Sequence, residues 1–223
     1  MKKLLILLFI VPIVNLAGQD RSFLRAQIDK WGSCKNVAIT ATGGDVALYG
    51  RDGYAYTGAT PAALKDKLKE LNQNGELIDD VVITEGGGWL VLFGDNGASW
   101  DGIPLDLESK IREFNNKNYV ITSVTFNDSG DWLIISNEFI AYSAWIKPYV
   151  ERGQKYGVLW AGHITDDRSL VLVFEKGYVY EGNVPATLKT KLETSGIDVY
   201  RVKFLENGVY FFADKDGNCR YFM

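Results

Sequence analysis

Apolar positions along this chain fall into short β-branched and aromatic runs, separated by glycine turns and followed by a stretch of helical spacing. The clearest copy is Val81 to Leu107, VVITEGGGWLVLFGDNGASWDGIPLDL. Val81–Thr84 and Trp89–Phe93 are runs suited to a pleated, half-buried surface. Between them, Glu85–Gly88 is a glycine-rich turn. Gly94-Asp95-Asn96-Gly97 contains the Asn-Gly pair of a tight hairpin, and Ala98–Trp100 reads as a third strand. Pro104 then suits a first helical turn, and Leu107, Ile111 and Phe114 share one helical face.

The pattern recurs, with losses. Second strands are expected at Val46–Tyr49, Trp89–Phe93, Trp132–Ile135, Leu170–Phe174 and Val209–Phe212. The turns before them are Thr42-Gly43-Gly44, Gly86-Gly87-Gly88, Ser129-Gly130, Asp167-Arg168 and Asn207-Gly208. Helices are expected from near Pro61, Pro104, Lys147 and Pro185. A period of roughly forty residues lies in the range of propeller and solenoid repeats. The likeness to propellers is one of period and architecture, with no Trp-Asp signature at repeat ends, and it points to no particular family.

Ser22–Trp31 forms a lone helix before the first strand, and the chain ends on a strand at Phe222-Met223. Five strand triplets and five helices result, with the cut between the last strand and its helix. An open array would need polar end repeats, whereas the last repeat here is strongly apolar. The expected fold is therefore mainly β with short helices: a closed five-fold β-propeller-like ring, each repeat three antiparallel strands plus one helix. An open repeat array is the alternative.

Residues 1–18 read as a signal peptide. Lys2 and Lys3 precede an apolar run, Leu4 to Val14, that is too short to span a membrane and is broken by Pro12. Leu16-Ala17-Gly18 would suit a bacterial lipoprotein signal if Cys followed, but Gln19 does. The expectation is a secreted or periplasmic protein, without stable membrane insertion after cleavage, in which residues 19–223 form a single repeat domain. Cleavage removes Lys2 and Lys3 from 24 basic residues and none of the 28 acidic ones, so the formal charge moves from −4 to −6. So acidic a chain lacks the basic face that phosphate binding needs, which argues against nucleic acid as a partner.

Candidate chemistry is sparse. His163 is the single histidine, so one chain cannot assemble a two-His zinc site. Repeat alignment sets it against Ala38, Val82, Thr125 and Lys203, on what reads as the less buried strand face. Asp79-Asp80, Asp128, Asp166-Asp167 and Glu206 lie near strand ends. A pair of them could serve glycoside hydrolysis, although acids in turns commonly accept backbone N–H bonds. Asp214–Asn218 resembles the start of a calcium loop but lacks its later ligands, and reads better as a hairpin turn. No cofactor is expected, since neither a phosphate loop nor a dinucleotide fingerprint is present.

The third repeat departs from the pattern. Its helix, Lys147–Tyr156, is interrupted by Gly153, and Trp145, Tyr149, Tyr156 and Trp160 crowd there. Repacking of a shortened helix would explain this; so would a binding surface, for which Trp145, Tyr149 and Tyr156 are the expected contacts. Tyr56, Trp100, Tyr142, Tyr180 and Tyr221 recur at the third-strand ends and read as packing. The functional expectation is an exported, non-catalytic binding module for an extracellular or periplasmic glycan, peptide or protein. The alternative is a secreted glycoside hydrolase with a carboxylate pair near the ring centre. Cys34 and Cys219 are the two cysteines, read either as a disulfide joining the first and last repeats or as two small core residues.

Overall fold

A computed structural model describes residues 21–223. The expected signal segment, 1–18, lies outside the described residues. Helix α1 (Ser22–Trp31) opens the chain. Five copies of a three-strand unit follow: β1 (Asn36–Ala38), β2 (Val46–Tyr49), β3 (Gly53–Tyr56); β4 (Ile78–Ile83), β5 (Trp89–Phe93), β6 (Gly97–Asp101); β7 (Ile121–Phe126), β8 (Trp132–Ser136), β9 (Ile140–Tyr142); β10 (Leu159–Ile164), β11 (Leu170–Phe174), β12 (Gly177–Glu181); and β13 (Arg201–Phe204), β14 (Tyr210–Ala213), β15 (Cys219–Phe222). Helices α2 (Ala62–Gln73), α3 (Leu105–Asn116), α4 (Lys147–Gly153) and α5 (Ala186–Thr194) separate the copies. Each triplet is its own antiparallel sheet with the middle strand central, and among the described residues no sheet closes on itself.

The helices start as proline dictates. Pro61, Pro104 and Pro185 each stand at the N-cap, φ near −55°, and their C=O accepts the first intrahelical bond. In the third copy Pro148 sits inside the first turn of α4, which passes directly into a 3-10 turn, Gln154–Tyr156. The cause at Gly153 is space: a Cβ there would lie 2.0 Å from the Phe174 ring.

Five apolar clusters hold the sheets together, each made from two sheets and one helix. Helix α2 lies with sheets one and two, α3 with two and three, α4 with three and four, and α5 with four and five. Helix α1 supplies Leu24 and Ile28 to the cluster shared by sheets five and one, with Val37, Ala47, Phe211 and Ala213. It is held there by the buried Arg21–Asp45 ion pair (2.7 Å), by Trp31 stacked on Tyr49 (5.1 Å) and by Tyr221, which donates to Asp29. The first strands meet one another in sequence, β1 on β4, β4 on β7, β7 on β10 and β10 on β13, and β13 also contacts β1. Both faces of the first strands are consequently covered, and their period-two alternation is lost.

Of the recurrent third-strand aromatics, Trp100, Tyr142, Tyr180 and Tyr221 are partly buried against the apolar clusters, whereas Tyr56 is exposed and joins none. Lys65 of α2 covers Tyr56, Arg112 of α3 covers Trp100, and Lys189 of α5 covers Tyr180, at 5.1–5.6 Å.

Candidate functional site

The first strands of the triplets carry a buried polar cluster that sequence alignment does not anticipate. Asp80, expected near a strand end, is fully buried. Its carboxylate accepts from Val81 N (2.8 Å), from Val124 N of the third sheet (3.1 Å) and from Asn36 Nδ2 of the first. Lys203 of the fifth sheet stands 3.8 Å away, buried, and desolvation pushes its ammonium below the ordinary lysine range. Arg201 donates to Thr122 O (2.8 Å) and pairs with Asp79 at 3.4 Å. Four sheets are thus joined by one polar network. Asp79, Thr122 and Trp160 are the extra residues of β-bulges in β4, β7 and β10, which turn them out of the ladder beside it.

His163 is partly buried, less so than its strand neighbours Gly162 and Ile164, but the face it shares is otherwise covered. Its repeat equivalents Ala38, Val82, Thr125 and Lys203 are all buried, and its Nδ1 has neither solvent contact nor partner. Nε2–H donates to Phe204 O at 3.0 Å, and the ring meets Phe204 edge-on. Burial, with the Lys203 charge adding to it, pulls its pKa down to about 3, so the ring is neutral.

At the far ends of the first strands lies a pocket of about 170 Å³ lined by all five repeats. Ile39, Ile83, Phe126, Ile164 and Leu205 supply apolar wall; Glu85, Asp166 and Glu206 supply carboxylates; His163 forms part of the lining. The acids therefore do converge. Most of them are already engaged. Glu85 accepts from Ala41 N and Thr42 N of the preceding repeat, Asp128 from Gly86 N, and Asp166 from Asp128 N. Each carboxylate closes the turn of the copy before it. Burial first, then neighbouring carboxylates, push Asp166 and Glu206 above the usual carboxylate range. Asp167 goes the other way: burial opposes it, but bonds from Thr165, Ser169 and Asn183 hold it down at about 2.

The turns themselves repeat. Thr40, Thr84 and Thr165 Oγ1 accept the N–H four residues on, as Asn127 Oδ1 does. One residue of each turn is left-handed: Gly43, Gly87, Gly130, Gly208 and, in the fourth copy, Arg168 at φ 62°. A side chain there is strained, and it is held by a contact. Arg168 Nε pairs with Asp131 at 2.8 Å, and its guanidinium covers Trp145 at 5.7 Å. Trp145 meets Tyr149 at 5.2 Å, and Tyr149 is covered by Arg152 at 5.3 Å. Arg152 in turn donates to Tyr180 O.

The expected contact residues are thereby placed. Trp145, Tyr149 and Tyr156 are half-buried around the cluster of sheets three and four. Trp145 and Tyr149 belong to the Arg–Trp–Tyr–Arg ladder. Tyr156 stands apart from it, meeting Phe174 and Lys155 and shaping a shallow recess with Arg152, Tyr178 and Tyr180. Trp160 does not join the crowd expected around it. It pairs with Tyr200 in a separate groove of about 590 Å³ between sheets four and five, where Lys215 and Arg201 both cover the Tyr200 ring. Asp214 closes its hairpin by accepting from Asp216 N, Asn218 N and Asn218 Nδ2. Sequence reasoning missed the two arginines of the ladder; the signal for Arg168 was its alignment with a row of glycines. No known protein family, curated protein or solved structure matches this chain.

Proposed function

We propose that the protein is an exported, non-catalytic binding module built as a closed five-bladed, propeller-like ring. The observation that carries the binding reading is the ladder Arg168–Trp145–Tyr149–Arg152. Its arginine side chains are half exposed, at 54% and 50%, and one of them occupies a left-handed position that the other copies give to glycine. Trp, Tyr and Arg are the residues that dominate interface energetics. The ladder suits an extracellular or periplasmic glycan, peptide or protein that offers carboxylate or sulfate groups to its guanidinium edges and an apolar face to its rings.

Ring closure is supported by the contact of β13 with β1 and by an apolar cluster shared between the fifth and first sheets. A circular permutant tests it: residues 21 and 223 joined by a short Gly/Ser linker, with new ends at the exposed Asp95 of the Gly94–Gly97 hairpin. A closed ring retains cooperative unfolding, whereas an open array does not tolerate the short linker. Export is tested by fractionation and amino-terminal sequencing, with Gln19 expected as the first residue of the processed chain.

For binding, residues 19–223 are screened on glycan and peptide arrays. A ligand lost by Trp145→Ala and by Arg168→Gly, each still folded, supports the ladder; a ligand untouched by both removes it. A second reading, a secreted glycoside hydrolase, draws on the convergence of Glu85, Asp166 and Glu206 on one pocket. Turnover of an array glycan that Glu206→Gln abolishes would replace the binding reading.

A further inference from the structure

Cys34 lies just before the first strand of the first sheet and Cys219 opens the last strand of the fifth, and the fold brings the two together. Cys34 N–H donates to Gly217 O at 2.9 Å and also faces the Cys219 sulfur. A Cβ built on Gly217 would stand 3.4 Å from the Cys34 carbonyl carbon and from Lys35 N, so the two backbones are in contact. Both side chains belong to the single apolar cluster that α1 shares with sheets one and five. Cys34 is fully buried, its S–H directed at Asn36 O (3.3 Å), while Cys219 is half-exposed; both thiols are free here.

We propose that Cys34 and Cys219 are a disulfide-forming pair that locks the first sheet to the last when the folded protein meets a small-molecule disulfide. A bridge requires Cα atoms within about 7 Å, and the Cys34 N–H that faces the Cys219 sulfur brings the two residues side by side. The accessible partner reacts first. The Cys219 thiolate attacks one sulfur of the oxidant, the oxidant's S–S bond breaks, and one small thiol leaves. Cys34 then loses its proton and attacks the Cys219 sulfur of the mixed disulfide, and the second small thiol leaves. Two protein thiols are oxidised, one small disulfide is reduced to two thiols, and the two S–H protons pass to those leaving groups. The second step is the slow one. Burial, and after it the neighbouring Cys219, push the Cys34 thiol up to about 12.

The test uses oxidised glutathione on reduced, folded residues 19–223, followed by denaturation in an alkylating agent and mass spectrometry. The expected product is two hydrogens lighter than the reduced chain and carries no alkyl group. Its digest contains one cross-linked pair holding Cys34 and Cys219. Its thermal midpoint exceeds that of the reduced chain by roughly 5–15 °C, the range for a bridge closing most of a chain of this size. Cys34→Ser is expected to accumulate a glutathione adduct at Cys219, and Cys219→Ser to leave Cys34 unmodified while folded. Two alkylated thiols, or a wild-type adduct at Cys219 that never resolves, would overturn the proposal.

Discussion

Two sets of carboxylates do the same job at opposite degrees of burial. Asp80 sits among the first strands, fully buried, and takes hydrogen bonds from the first and third sheets with Lys203 of the fifth beside it. Glu85, Asp128 and Asp166 sit at the turns, exposed, and each accepts a backbone N–H from the preceding copy. Both sets join neighbouring sheets. Burial decides what each is worth. At exposed turns solvent can replace the lost bonds; among the buried first strands there is nothing to replace them.

Asp80→Ala tests the buried side most severely. It strands the Lys203 ammonium, the Asn36 amide and Val124 N–H, and should lower unfolding stability in urea by about 3–5 kcal/mol. A loss under about 1 kcal/mol would mean that water reaches this network, and the contrast with the turns would vanish.

The next effect is a pH dependence. His163 is neutral in the fold down to a pKa of about 3 but titrates near 6.5 when unfolded. Between those values the unfolded chain holds a proton that the folded chain refuses, so stability falls as pH drops, by at most about 1.4 kcal/mol per pH unit. The raised carboxyls of Asp166 and Glu206 act in the opposite direction, so the difference between wild type and His163→Gln isolates the histidine. If the two pH profiles coincide, His163 is reached by solvent.

At the turns, Glu85→Ala and Asp128→Ala should each cost about 0.5–1.5 kcal/mol. These losses should shrink in 1 M salt, where the Debye length is about 3 Å, while that of Asp80→Ala should not. Equal salt sensitivity would erase the distinction. The smallest effect belongs to Glu113 on the surface of α3. Lys110 and Lys117 hydrogen-bond it and hold its carboxyl down at about 2, yet all three are solvated. Glu113→Gln should leave the urea midpoint unchanged within error.

Much of the architecture was legible because its causes are local. Turn glycines, helix-starting prolines and runs of β-branched residues act within a few positions, and they marked five strand triplets and the helices between them. The left-handed turn position showed as a row of glycines broken by Arg168. The interruption at Gly153 was visible too, though its reason, the Phe174 ring against its Cα, was not.

What the sequence could not express were contacts between copies. Asp80 meets residues forty-four positions away on both sides, and Lys203 reaches it from another sheet. No spacing rule encodes such partners. Because the first strands are covered on both faces, their alternation carries little in-or-out signal: the equivalents of His163 are buried as deeply as the apolar positions they alternate with, and His163 alone is partly exposed. Closeness in sequence groups Trp160 with Trp145, Tyr149 and Tyr156, whereas the bulge in β10 turns it toward Tyr200. By itself the sequence determined the repeating unit, since each unit is made by short-range preferences. The tertiary structure alone decided which side chains those units bring together, because packing one sheet on the next sets neighbours that the order of residues leaves open.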